Sequence, residues 1–137
     1  MKKLLFFTAI CFCASGLYAN SHKIPSLTSR GQKVIVTEHA PNGCKSMGEV
    51  EGIDYRKNYE SLVSFDVLKK GAINDLKNKA AKKTTASRPV IQIIETGYVC
   101  GKKKSTEQGY ECSYDKARSG KHSLFAVAYR AIVYSCN

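Results

Sequence analysis

The chain has 137 residues, of which 22 are Lys or Arg and 11 are Asp or Glu, a formal net charge of +11. That length allows one compact domain and excludes two of ordinary size, and no later apolar stretch approaches the roughly 18 residues a membrane-spanning helix needs. The surplus charge points to acidic surfaces as partners.

In chain order, Met1-Lys2-Lys3 is a positive start, Leu4 to Cys13 an apolar run too short to span a bilayer, and small or turn-forming residues end at Ala19. This is the pattern of a cleavable signal peptide over residues 1–19, and it places the protein outside the cytoplasm, in the periplasm or beyond. Ile10 before Cys11 and Phe12 before Cys13 do not suit a lipidation site, so the mature chain is expected without a lipid anchor. Residues 20–31, rich in Ser, Thr, Pro and Gly, read as a flexible arm, and the folded domain is expected over 32–137.

Lys33 to Thr37 is β-branched and reads as a first strand. Pro41-Asn42-Gly43 is turn chemistry, followed by a short strand around Met47 to Val50 bracketed by Gly48 and Gly52. Residues 53–60 read as a loop. Val67, Leu68, Ala72, Leu76 and Ala80 then recur at spacings of three and four, which predicts the main helix, stopped by Pro89. Gly71 in its interior costs ~1 kcal/mol relative to Ala, so a close backbone contact is expected there. Val90 to Cys100 reads as a strand, 101–109 as a loop, Tyr110 to Asp115 as a returning strand, 116–123 as a second loop, and Leu124 to Ser135 as a long closing strand. The order β-β-α-β-β-β predicts an α+β fold with one helix on a mostly antiparallel sheet.

Cys44, Cys100, Cys112 and Cys136 remain after the signal peptide, an even number in an oxidising compartment, and read as two disulfides. Of the three connectivities, Cys100–Cys112 fits a bond across the hairpin whose loop they flank. That leaves Cys44–Cys136. No Cys-x-x-Cys pair argues for redox work and no closely spaced Cys/His set for zinc, so no metal or cofactor is expected.

The charge is lopsided. Residues 20–68 carry six Lys/Arg against six Asp/Glu, whereas 69–130 carry fourteen against five, a net of +9. If the three last strands alternate in direction, the helix C-terminus and the 116–123 loop share one end. Lys82, Lys83, Arg88, Lys116, Arg118, Lys121 and His122 are therefore the candidate site for an anionic lipid such as a phosphoinositide, or for another acidic surface. Nucleic acid is the rival for a basic chain, with Tyr98, Tyr110, Tyr114 and Tyr129 available to stack on bases. Alternating strand aromatics are more often packing, and export argues against it. His22, His39 and His122 stand in no nucleophile motif, and Glu49 with Glu51 on one strand face reads as a solvated pair, so an enzyme is not expected.

Three segments carry a resemblance: Val34-Ile35-Val36 with Cys44 to Gly52, Gly71 to Ala81, and Tyr134-Ser135-Cys136. Together they resemble a family of small bacterial envelope proteins of unknown function, DUF4156, which is distantly similar to RcsF-type domains. The resemblance implies an α+β envelope domain without catalytic activity, and its members' usual cysteines match Cys44 and Cys136. It departs at the missing lipidation cysteine and at 100–123. The expected function is thus an exported, non-enzymatic binding protein, released as a secreted virulence factor acting on acidic host membranes. The alternative is a periplasmic structural or stress-related protein that works by contacting an envelope or host protein.

Overall fold

Two long strands that run in the same direction, Lys45–Tyr55 and Val90–Gly101, flank an antiparallel third, Ser123–Ser135, and a 19-residue helix crosses from the first to the second. The structure is a computed structural model that describes residues 22–56, 63–101, 109–120 and 123–136. Its elements are β1 (Ile35–Thr37), β2 (Lys45–Tyr55), α1 (Phe65–Lys83), β3 (Val90–Gly101), β4 (Tyr110–Glu111), α2 (Tyr114–Arg118) and β5 (Ser123–Ser135), after a 3-10 turn over Gly31–Lys33. The sheet order is β1-β3-β5-β2, with β4 on the outer side of β3. The α+β class, the main helix and both disulfides are as expected, Cys44–Cys136 and Cys100–Cys112 having Cα separations of 4.5 and 5.8 Å. Among the described residues no helix is long and apolar enough to cross a membrane.

Helix α1 begins where Ser64 Oγ accepts the Val67 N–H at 3.3 Å, a serine N-cap. Its inner stripe, Leu68, Gly71, Ala72, Leu76, Ala80 and Ala81, is buried. It packs on Val127, Tyr129, Ala131 and Val133 of β5 and on the helix-side residues of β2. Gly52 lets this happen. A Cβ there would strike Leu76 and the Ala72 carbonyl, so the missing side chain brings helix and sheet together.

β1 pairs with β3 in parallel, Ile35 opposite Val90, and the other described pairings are antiparallel, so the sheet is mixed and mostly antiparallel, as expected. Two local readings are corrected. β2 is 11 residues long, and Ile53, Asp54 and Tyr55 belong to it rather than to a loop. Its extension rests on a bulge between Ser46 and Glu49, where Gly48 takes φ +94. The strand expected over 110–115 is only Tyr110–Glu111, because Ser113 Oγ accepts the Lys116 N–H at 3.4 Å and starts α2 instead. The segment read as an arm is hydrogen-bonded to the rest of the domain from His22 onward. Asn74 Nδ2 donates to Pro25 O and Asn78 Nδ2 to Ser26 O, both at 2.8 Å, while Asn78 Oδ1 accepts the Thr28 N–H at 2.9 Å. The expected signal peptide lies outside the described residues.

Candidate functional site

Strand direction decides which cations meet. β3 rises from Val90 and β5 falls back beside it, with Gly101 opposite Ser123 and Val90 opposite Tyr134. The lower end of the sheet therefore holds the starts of β1, β2 and β3, the Cys44–Cys136 bond and the end of α1. The upper end holds Phe65 and α2, where the rings of Phe65, Tyr98 and Tyr114 lie 5.5–5.9 Å apart.

This splits the expected site. Lys82, Lys83 and Arg88 are exposed at the lower end, and Lys116 and Arg118 are exposed at the upper one. The expected gathering needed a full returning strand to carry the chain down before residue 116. The two-residue β4 and α2 keep it at the top. Arg118 is also engaged locally, its Nη1 3.2 Å from the Tyr114 hydroxyl. Lys121 and His122 lie outside the described residues.

The lower end nevertheless assembles a basic cluster of its own. Arg30 Nη2 donates to Thr84 O at 2.6 Å, fixing it beside the last turn of α1. Lys33 ends the 3-10 turn, and Ile35 N–H donates to Pro89 O at 2.9 Å, which brings that turn next to Arg88. Lys83 lies against Gly48 of the β2 bulge, and Lys45 pairs with Ser135 beside the disulfide. Arg30, Lys33, Lys45, Lys82, Lys83 and Arg88 are all exposed, and no Asp or Glu occurs in 30–33, 44–47, 79–89 or 133–136. Four strands at ~4.8 Å make a rim of about 15 Å, short enough for one surface to meet all six. Lys82 and Lys83 also face the negative end of the helix dipole, which holds them there and offsets part of their charge. Sequence reasoning missed Arg30 because it sits in the supposed arm, and Lys33 and Lys45 because their half of the chain is neutral overall.

Residues 25–136 match the family described as a domain of unknown function, DUF4156. The chain belongs to that family. The match spans every strand and helix of this DUF4156 domain and all four bonded cysteines. No curated protein and no solved structure matched the chain, and the likeness to RcsF-type domains is not shown.

The remaining candidates fall elsewhere in the DUF4156 fold. Tyr129 is buried and Tyr98 half-buried, so these two rings serve the interior; Tyr114 packs on Phe65 and Tyr98 but is itself exposed, as is Tyr110. Burial, then Tyr98 and Tyr114, pushes the Tyr129 hydroxyl up to about 12, and burial also raises Tyr98. Glu49 and Glu51 do share a face, the one opposite α1, where Arg130 Nε is 3.8 Å from Glu49. Among the described residues no group of three or more His, Cys, Asp and Glu could hold a metal.

Proposed function

We propose that this DUF4156 protein is an exported, non-enzymatic binding module whose lower end engages anionic surfaces, phosphoinositide or other acidic lipid headgroups among them. The observation that carries the reading is the convergence of Arg30, Lys33, Lys45, Lys82, Lys83 and Arg88 on one rim, with no Asp or Glu in the described segments that carry them. Each basic residue near an anionic membrane contributes ~1 kcal/mol, so six that all reach it give useful affinity without a deep pocket. The two disulfides suit an oxidising compartment, where the protein is released from the cell or remains in the periplasm.

The test is vesicle co-sedimentation of the mature chain against neutral, phosphatidylserine and phosphoinositide vesicles over a range of salt. Binding to the anionic vesicles should fall with ionic strength. It should drop by about two orders of magnitude in Lys82→Glu/Lys83→Glu/Arg88→Glu, at ~1 kcal/mol per residue. Lys116→Glu/Arg118→Glu should change it far less. Equal binding to neutral vesicles, or equal losses in the two variants, would overturn the reading.

A further inference from the structure

The face of the sheet opposite α1 is laid out in rows across β2, β5 and β3. Glu51–Arg130–Glu95 forms one row, Ile53–Ala128–Gly97 the next, and Tyr55–Ala126–Val99 the third, with Glu111 of β4 beyond Val99. Paired residues in neighbouring strands share a face. The 38–44 connection crosses the lower part of this face, where Gln92 Nε2 donates to Glu38 O and Tyr134 is buried. Above it, Tyr55 is 52% and Ile53 39% exposed, and a Cβ built on Gly97 would meet nothing within 4 Å.

A solvated sheet face is expected to alternate in polar side chains. Here two of the three upper rows carry none on β2, β5 or β3. Charge rims them on both sides: Glu49, Glu51 and Glu95 below, Glu111 beyond. Arg130, which bonds Glu95, is the one cation that the described strands present on this face. In a chain of formal charge +11, this face is thus net negative by three among these residues.

We propose that the upper half of this face docks a partner protein, through a segment that carries Lys or Arg beside aliphatic side chains. The aliphatic groups cover Ile53, Tyr55, Val99 and Ala128, Ala126 between them being already buried, and the cations meet Glu51, Glu95 and Glu111. The sign of the charge chooses the occupant: a second copy packed face to face would oppose carboxylates to carboxylates, and an acidic membrane would be repelled. A small ligand is disfavoured by shape. The depression over Gly97 and Ala128 holds only about 210 Å³ and is open to solvent, below the ~300 Å³ at which ligand pockets begin. The surface shares no residue with the lower end, so it stands apart from the anionic-surface reading.

The experiment is an NMR titration of the mature chain, disulfides intact, with three short synthetic peptides: alternating Lys and Val, alternating Lys and Ser, alternating Glu and Val. The Lys–Val peptide should shift amides of 51–55, 95–99 and 126–130, and its affinity should fall about tenfold in Glu51→Lys/Glu95→Lys. Tyr55→Ser should weaken it equally at low and high salt. Amide dispersion of each variant reports that it still folds, and Lys82→Glu/Lys83→Glu should bind the peptide as the wild type does. The proposal is overturned by shifts elsewhere, by equal binding of the Lys–Ser or Glu–Val peptide, or by a peptide-free dimer whose interface is this face.

Discussion

His22 Nε2 lies 2.8 Å from Asp54 Oδ2, with the two side chains only 9% and 8% exposed, so the start of the arm is fastened to the upper end of β2. The carboxylate reaches that position because it rests against Gly71 of α1, where a Cβ would overlap it. One glycine therefore joins arm, strand and helix. Gly71→Ala should destabilise the protein: overpacking costs roughly 1–3 kcal/mol, against ~1 kcal/mol gained in helix propensity. Gly97→Ala, with open space around its new methyl, should be neutral or slightly stabilising. Thermal denaturation of the two variants gives opposite signs; a rise in Tm for Gly71→Ala would show that the contact is slack.

Asn78 carries three hydrogen bonds to the arm, to Ser26 O and to the Thr28 N–H and hydroxyl. Asn78→Ala leaves those groups without their partner and should loosen residues 24–30 while the sheet stays intact. Amide hydrogen exchange reads this directly. Protection at Thr28 should fall by about tenfold, matching ~1–2 kcal/mol of lost hydrogen bonding, with β5 amides unchanged. Uniform loss across β5 would mean that the arm belongs to the core.

The two disulfides should differ in worth. Cys44–Cys136 closes 92 residues and Cys100–Cys112 only 12. Chain-entropy estimates give ~4–5 and ~3 kcal/mol respectively. Cys44→Ser/Cys136→Ser should therefore lose more in urea unfolding than Cys100→Ser/Cys112→Ser. Cys100 is fully buried, whereas Cys44 and Cys136 are both partly exposed, so gentle reduction of the wild type should open Cys44–Cys136 first. Mass spectrometry after alkylation gives the order, and prior opening of Cys100–Cys112 would contradict it.

What the sequence made legible was local. The three-and-four spacing of Leu68, Ala72, Leu76 and Ala80 located α1, the interior Gly71 announced a contact, and the 12-residue separation of Cys100 and Cys112 announced a cross-strand bond. What it hid was set by distant partners. Tyr110 to Asp115 alternates like a strand, yet Ser113 and Asp115 equally suit a helix start, and that single choice moved Lys116 and Arg118 to the far end of the molecule. The arm's Ser, Thr and Pro look mobile until Asn74 and Asn78, about 50 residues later, bind its backbone. No local pattern distinguishes a parallel β1 from an antiparallel one. The open sheet face was equally invisible, since its rows are assembled from three strands far apart in the chain.

Tyr129 should govern behaviour in alkali. Its hydroxyl is raised from 10.0 to about 12 because the folded state buries it beside Tyr98 and Tyr114. A group with a raised folded value adds stability that is whole below the unfolded pKa and is lost as pH climbs through the folded one. The wild type should hold its stability to pH 10 and lose it steadily between about 10 and 12. Tyr129→Phe, which cannot ionise, should flatten that decline while costing little at neutral pH. Denaturation midpoints across this range provide the measurement, and an undiminished alkaline loss in the variant would assign it to other groups.

Strand β2 lies at the outer edge of the sheet, where unpaired main-chain groups invite another strand. Asp75 and Lys79 of α1 occupy two of them: Asp75 Oδ2 accepts the Ile53 N–H at 3.0 Å, and Lys79 Nζ donates to Glu51 O at 2.9 Å. The two side chains are also bonded to each other at 2.8 Å, one helical turn apart, which fixes both against the edge. Surface ion pairs contribute little to stability, so the pair matters chiefly as a cover. Asp75→Ala/Lys79→Ala should cost about 1–2 kcal/mol in lost hydrogen bonds and leave the edge able to pair with its counterpart in another molecule. Sedimentation velocity should then show concentration-dependent association beyond that of the wild type, and Asp75→Asn, which keeps an acceptor for Ile53, should show less. Identical sedimentation of wild type and double variant would mean that the bulge at Gly48 and the twist of β2 already protect the edge without help from the helix.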